Sequence, residues 1–126
     1  MNVLIVALDA VVPTEVTEAD VLVVAPALNS KLRHWLSDED AARGRAKTVA
    51  EALVELLKRE GVRAEGRTGD SDPVLAVADA LQTFPADEIV IAGRPSGQNG
   101  LDRLVLRIRG RFGLPIRAVD SLARAA

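Results

Sequence analysis

The stretch Glu88–Pro115, EIVIAGRPSGQNGLDRLVLRIRGRFGLP, decides how the rest of the chain is interpreted. It begins with the apolar run Ile89–Ala92, passes through a loop that contains Gly93, Gly97 and Gly100, and continues with apolar residues at helical spacing. A buried strand, a glycine-rich loop and a helix N-terminus, in that order, form a backbone that can hold an anion. We therefore expect any ligand site of this chain to lie here.

Two apolar runs upstream predict strands that are covered on both faces. They are Val3–Leu8 (VLIVAL) and Val21–Ala25 (VLVVA). Parallel neighbours need a crossover of about a dozen residues or more, usually a helix, and the connector Ala10–Asp20 is at this lower limit. We expect about one helical turn there. Unless another segment covers it, the sheet face should expose apolar area of the kind that marks an interaction surface.

Three further segments have the end signals of helices. The longest covers about Asp38–Glu60: Ser37 and the acids after it start the helix, and Gly61 stands where a C-terminal glycine is expected. The second has Asp72 as N-cap and Pro73 at its first position. The third follows the glycine loop. The buried stripes are predicted to comprise Val74, Val77, Ala78 and Leu81 in the second helix, and Leu101, Leu104, Val105, Ile108 and Phe112 in the third.

Two less apolar segments complete the series of strands. Val62–Arg67 alternates apolar or small residues with charged ones, which is typical of an exposed edge strand, and Pro115–Val119 is the final short strand. Strands and helices then alternate from the second strand to the last. This alternation predicts one α/β domain, residues 1–126, with a parallel sheet and right-handed crossovers.

Composition argues against several classes of function. The chain has no cysteine, and its one histidine, His34, stands beside Trp35 without a serine or cysteine partner. We therefore expect no metal site and no nucleophile–base pair, and we interpret the chain as a protein that is not an enzyme. Asp70 and Asp72 could form a carboxylate pair for acid–base chemistry, but helix capping explains them better.

Charge and hydropathy indicate a cytoplasmic protein without membrane or nucleic-acid partners. The net charge is −2, no apolar run reaches the roughly 20 residues of a membrane span, and the N-terminus lacks the basic segment of a signal peptide. Six arginines lie between Arg94 and Arg117 against one acid, Asp102, so we expect a basic face beside the glycine loop. That stretch offers almost no aromatic residues for base stacking, which argues against nucleic-acid binding.

In these features the chain resembles the universal stress protein family. The matching segments are a first strand ending in Asp9, VLVVA in the second strand, Gly69-Asp70 followed by Asp72-Pro73, ADEIVI before the glycine loop, GLDRL at the start of the last helix, and FGLPI before the last strand. The resemblance implies a Rossmann-like (adenine nucleotide alpha hydrolase-like) sheet of five mostly parallel strands in the order 3-2-1-4-5, with helices on both faces. It also implies a homodimer through the last strand.

One branch of that family binds ATP through a pattern of Gly-x-x-Gly, nine residues and Gly-Ser/Thr. In this chain Gly97 and Gly100 are followed after nine residues by Gly110, but Arg111 stands where the hydroxyl residue is expected. Alignment on GLDRL, with one residue inserted in the loop, instead places Arg107-Ile108 at that position. We favour the second alignment because it keeps the phase of the helix. Both alignments lack the hydroxyl, so we expect nucleotide binding to be weak.

The resemblance leads to two hypotheses for function. In the first, the chain is a regulatory module of universal-stress-protein type that binds ATP, AMP or a related phosphate ligand. The site residues would then be Asp9, Gly93, Arg94, Gly97, Gly100 and Arg107. The structural alternatives are a turn-forming aspartate, glycines of ordinary turns and a solvated arginine face. In the second hypothesis, the chain binds no nucleotide and self-associates, as a homodimer through the last strand or through the face left open by the short first crossover.

Overall fold

The computed structural model describes residues 1–10, 19–27, 39–93 and 100–120 of the chain. The elements in these ranges are β1 (Asn2–Ala7), β2 (Asp20–Pro26), α1 (Glu39–Arg59), β3 (Arg63–Gly69), α2 (Pro73–Thr83), β4 (Glu88–Gly93), α3 (Gly100–Arg111) and β5 (Ile116–Asp120). The sequence predicted each of them, and the predicted strand bounds differ from the observed ones by one or two residues. Ser37, His34 and Trp35 lie outside the described residues.

The five strands form one sheet in the order β3-β2-β1-β4-β5, and all neighbours are parallel. β1 lies at the centre, with Val3 in register with Val21 of β2 and with Glu88 of β4. β3 and β5 are the two edges. This confirms the predicted α/β Rossmann-like fold and its strand order.

The helices cover the sheet from both sides, as predicted. Alternate residues of β1 point to opposite faces: Ile5 packs with α1, whereas Leu4 packs with α2 and α3. We call these two sides the α1 face and the α2–α3 face. The buried side chains in the described residues are all aliphatic, and Phe84 and Phe112 lie half-buried at the margin of the α2–α3 face.

The expectation of an open apolar face is wrong for the central strands. On the α1 face, Val3 and Ile5 of β1 and Val90 and Ala92 of β4 are each no more than 1% exposed. The physical reason visible in the described residues is packing against α1, because these side chains belong to one buried cluster with α1 side chains such as Leu53. The chain therefore buries this face without a partner.

Backbone geometry at two helix ends follows the sequence signals. Gly61 has a φ of 81°, and its N–H donates to the Lys58 carbonyl at 3.0 Å while the Val62 N–H donates to the Leu57 carbonyl at 3.0 Å. This pair of bonds is a Schellman motif, which glycine favours because the left-handed conformation strains other residues. At the start of α2, the Val74 N–H donates to the Asp72 side chain, so the predicted N-cap is confirmed.

The buried stripe of α2 differs from the prediction. Val74 and Val77 are buried as predicted, but Ala76 and Ala80 complete the stripe, and Ala78 and Leu81 are only half-buried. The cause is a close approach of α2 to the end of β3. A Cβ placed on Gly69 would lie 2.8 Å from the Cβ of Ala76 and 2.8 Å from Cγ1 of Val24. The helix therefore presents its small side chains to the sheet.

This close approach predicts that Gly69→Ala lowers the free energy of unfolding by about 1–3 kcal/mol, because the new methyl group overpacks the contact with Ala76 and Val24. Gly44→Ala is the matched control. Gly44 lies inside α1, and a methyl group added there would meet no heavy atom within 4 Å, so the same change should raise the free energy of unfolding by about 0.5–1 kcal/mol. Urea unfolding followed by circular dichroism measures both, and an equal effect at the two sites would contradict this explanation.

Candidate functional site

The strand order creates a point of divergence between the two central strands. The chain leaves β1 toward β2 on one side and leaves β4 toward β5 on the other. The carboxyl ends of β1 and β4 lie side by side, since Ala7 is in register with Ala92. In open α/β sheets, ligands bind in the crevice outside the carboxyl ends of the strands at such a switch point. We therefore treat this junction as the candidate site.

Asp9 and Gly93, two of the predicted site residues, both lie at this junction, since Asp9 follows β1 by two residues and Gly93 ends β4. The N–H groups of Leu8 and Asp9 donate to the Ala92 carbonyl at 2.8 and 3.3 Å, which holds the start of the β1 loop against the end of β4. Gly93 is buried and is the last residue of β4. The Asp9 carboxylate is half-buried and accepts a hydrogen bond from the Ala10 N–H at 2.8 Å. This bond ties the carboxylate to the backbone of the next residue, and the turn interpretation of Asp9 stays a prediction.

The rest of the predicted loop site is described only in part. Gly100 is the first residue of α3, so the N-terminus of this helix follows the carboxyl end of β4. The buried side chains of Leu104 and Ile108 attach α3 to the α2–α3 face. Arg94 and Gly97 lie outside the described residues. Gly110 is inside α3, which agrees with the alignment that does not use it as a phosphate-facing turn.

Arg107 contacts the N-cap of the neighbouring helix. Its Nη2 lies 3.3 Å from Oδ1 of Asp72, and the two side chains are about half exposed. The same carboxylate oxygen accepts from the Val74 N–H at 2.9 Å, and Asp70 Oδ1 accepts from the Asp72 N–H at 2.9 Å. These contacts confirm the capping interpretation of Asp70 and Asp72. A phosphate that binds Arg107 would have to compete with the Asp72 carboxylate.

The arginines do not form one basic face. Arg103 and Arg111 are exposed on α3, which packs on the α2–α3 face. Arg117 lies in β5 in register with Val90, so its side chain is on the α1 face, where its Nε donates to the Glu88 carboxylate at 3.2 Å. The expectation of a single basic face is therefore wrong at Arg117, because the pleat of β5 turns this side chain to the other side of the sheet.

Two other kinds of site find no support in the described part of the chain. Residues 1–10, 19–27, 39–93 and 100–120 contain no group of three or more histidine, cysteine, aspartate or glutamate residues that could hold a metal ion. Within the same ranges, none of the helices has the length and apolar character that crossing a membrane requires.

After comparison with known proteins, the resemblance to the universal stress protein family rests only on the sequence segments quoted above. No protein-family model matches this sequence, and the curated proteins contain no match to it. Function is therefore inferred from the geometry of the β1–β4 junction and of the sheet edges.

The double role of Asp72 leads to a stability prediction. Asp72→Ala removes both the cap and the ion pair and should lower the free energy of unfolding by about 1 kcal/mol. Asp72→Asn keeps a capping oxygen and removes only an exposed ion pair, so its effect should stay below about 0.5 kcal/mol. Denaturant unfolding of the two variants measures the difference. Equal losses would show that the contact with Arg107, and not the cap, is the stabilising interaction.

Proposed function

We propose that this chain is a regulatory module of universal-stress-protein type that binds an adenine nucleotide or a related phosphate ligand weakly. The observation that carries the proposal is the switch point between β1 and β4, at which the Asp9 N–H donates to the carbonyl of Ala92, the residue before Gly93. Such a junction is the usual ligand position in doubly wound sheets. The glycine loop of residues 93–100 joins it directly to the start of α3.

Each predicted residue has a distinct task in this proposal. Gly93 carries no side chain, so a ligand can approach the end of β4 closely. Asp9 accepts hydrogen bonds from the hydroxyl or amino groups of a nucleoside. Gly97 and Gly100 let the loop backbone point N–H groups at a phosphate near the positive end of the helix dipole of α3, and Arg94 adds a charge there. Arg107 contributes only when the phosphate displaces Asp72. Together with the missing hydroxyl, this competition favours weak binding.

Ligand-dependent thermal stability tests the proposal. We expect ATP or AMP at millimolar concentration to raise the Tm of nucleotide-free protein, since a ligand at tenfold its Kd stabilises the folded state by about 1.4 kcal/mol. That corresponds to a shift of several degrees for a domain of this size. Asp9→Asn should reduce the shift. Asp79→Asn, the same change on an exposed face of α2, should leave it intact. A Tm that does not respond to either nucleotide would overturn the proposal.

We also propose self-association through β5. This edge strand pairs with β4 on one side, and Ala118 is exposed on it. An edge of this kind presents unpaired backbone N–H and C=O groups to a second strand. The alternative, self-association through an open α1 face, is not supported, because the central strands are buried on that face.

Sedimentation velocity of the protein at tens of micromolar measures this association. We expect a dimer, and Ala118→Arg should shift it toward monomer because two bulky charged side chains would meet near the contact. Circular dichroism checks that the variant keeps its fold. A parent protein that is monomeric under these conditions, or a dimer that Ala118→Arg does not weaken, would count against the β5 contact.

A further inference from the structure

β3 forms one edge of the sheet, and most of its residues are exposed. β3 covers Arg63–Gly69, and in the described part of the chain its only strand partner is β2. The four consecutive residues Glu65, Gly66, Arg67 and Thr68 are all exposed. The outer side of the strand therefore presents backbone donors and acceptors that a further strand can pair with.

We propose that β3 pairs antiparallel with β3 of a second copy of this chain, around a two-fold axis at Gly66. Gly66 is the midpoint of Arg63–Gly69, so this register pairs the two strands over their full length. It places Glu65 of each copy opposite Arg67 of the other, and Ala64 opposite Thr68. The two sheets would then join into one continuous sheet. This contact is separate from the β5 contact and from the nucleotide site.

The charges of the strand select the same register as its length does. Moving the axis to Glu65 would place the two Glu65 carboxylates opposite each other and Arg63 opposite Arg67. Opposite-charge pairs on neighbouring strands stabilise a sheet, whereas like charges directly opposite destabilise it. The axis at Gly66 gives two favourable Glu65–Arg67 pairs in each dimer. Length and charge therefore agree on one arrangement.

Glu65 and Arg67 are available for such pairs. Within the described residues, Glu65 takes part in no ion pair, and the Arg67 guanidinium donates to a neutral acceptor, the Thr83 hydroxyl, at 2.8 Å. Arg63 would face the uncharged Gly69 across the axis, and it already lies 3.9 Å from the Asp20 carboxylate on β2. The proposed register therefore gives an opposite charge to the two charged residues of β3 that form no ion pair within the described residues.

The α1 face above this edge has room for a second copy. Ala64 is in register with Val21, so Ala64, Gly66 and Thr68 point to the α1 face. A Cβ placed on Gly66 would lie 3.1 Å from Cγ2 of Val54, so α1 lies directly over the strand. A groove of about 470 Å³ opens beside it, lined by residues of α1 and β3 that include Lys47, Val54 and Thr68. The two-fold axis would bring α1 of the second copy antiparallel alongside, with its side chains in this groove.

The same features have a second explanation, which the experiment must separate from the first. Charged residues and glycine on an edge strand are also a common means of preventing edge-to-edge pairing. That explanation predicts a monomer, or a dimer that forms elsewhere. The pairing explanation predicts a dimer whose strength depends on the signs of residues 65 and 67.

A charge-reversal series distinguishes the two explanations by sedimentation velocity. The parent protein in this series carries Ala118→Arg, which weakens the proposed β5 contact, because β3 and β5 are opposite edges of the sheet and the two contacts together would link copies into an open chain. Glu65→Arg and Arg67→Glu each replace two attractive pairs by two repulsive ones, and each should raise the dimer Kd about tenfold or more. The double variant E65R/R67E restores opposite charges across the axis and should return the Kd to within about threefold of the parent value. Arg103→Glu, on exposed α3 surface, is the matched control and should have no effect. A parent that stays monomeric at about 100 µM, a concentration at which dimers of even modest affinity form, or single variants that dimerise like the parent, would overturn the proposal.

Disulfide cross-linking tests the register independently of affinity. The chain has no cysteine, so introduced thiols are the only ones present. Residues directly opposite each other are within disulfide range, whereas diagonal neighbours are about 7–8 Å apart. An equimolar mixture of the E65C and R67C variants should therefore cross-link under mild oxidation, and each variant alone should cross-link much less. Equal cross-linking in all three samples would rule out the Gly66 axis, and cross-linking of the mixture that Ala118→Arg abolishes would assign the contact to β5.

Discussion

The constraint on which this structure depends is a core built only from aliphatic side chains. In the described part of the chain, no polar or charged side chain is buried, and Leu, Ile, Val and Ala fill both faces of the sheet. Such a core can be stable because apolar burial contributes roughly 25 cal/mol per Å² and no buried polar group needs a partner. It offers no chemistry of its own. Any ligand or partner must therefore be recognised at the carboxyl ends of the strands, at the helix termini or at the two sheet edges.

The parallel topology brings two of these places together, the carboxyl ends of the strands and the N-termini of the helices. A parallel sheet puts every loop that follows a strand at the same end of the strands, so the β1 loop, the glycine loop after β4 and the capped start of α2 share that end. The ion pair between Arg107 and Asp72 joins the two helices of the α2–α3 face. A ligand that attracts Arg107 would weaken this connection. Binding of such a ligand would therefore be coupled to the packing of the two helices through the Arg107 guanidinium.

The sequence was sufficient for the fold because its signals are local and agree with one another. Continuous apolar runs predicted β1, β2 and β4, and Gly61 and Asp72 marked helix ends through backbone geometry that those residues favour. The features that could not be predicted depend on long-range approach. The contact of Gly69 with Ala76 sets the rotation of α2, and the pairing of Arg107 with Asp72 spans 35 residues. The side of the sheet on which Arg117 lies depends on the β4–β5 register.

The candidate site was predictable in position more than in composition. Asp9 was expected beside the crevice at which the strand order reverses, and the strand order places the loop after β1 next to the end of β4 because these two strands are neighbours. The ion pair between Asp72 and Arg107 could not be predicted, because an aspartate that caps a helix looks the same in the sequence whether or not it also pairs with an arginine. The alternation of small and charged residues in β3 predicted an exposed edge strand, but it did not predict that Gly66, at the midpoint of the strand, lies beneath α1.

The central position of β1 has a consequence for the synthesis of the protein. β1 leaves the ribosome before the other strands of the described sheet, yet its partner β4 begins only at Glu88, in register with Val3. At about 5–20 residues per second, one side of the most apolar strand stays unpaired for roughly 4–17 seconds after it is made. β1 can pair with β2 well before β4 is made, because β2 ends at Pro26. The nascent chain therefore carries an open apolar edge until β4 has been made, and this interval is when a chaperone would have the most to bind.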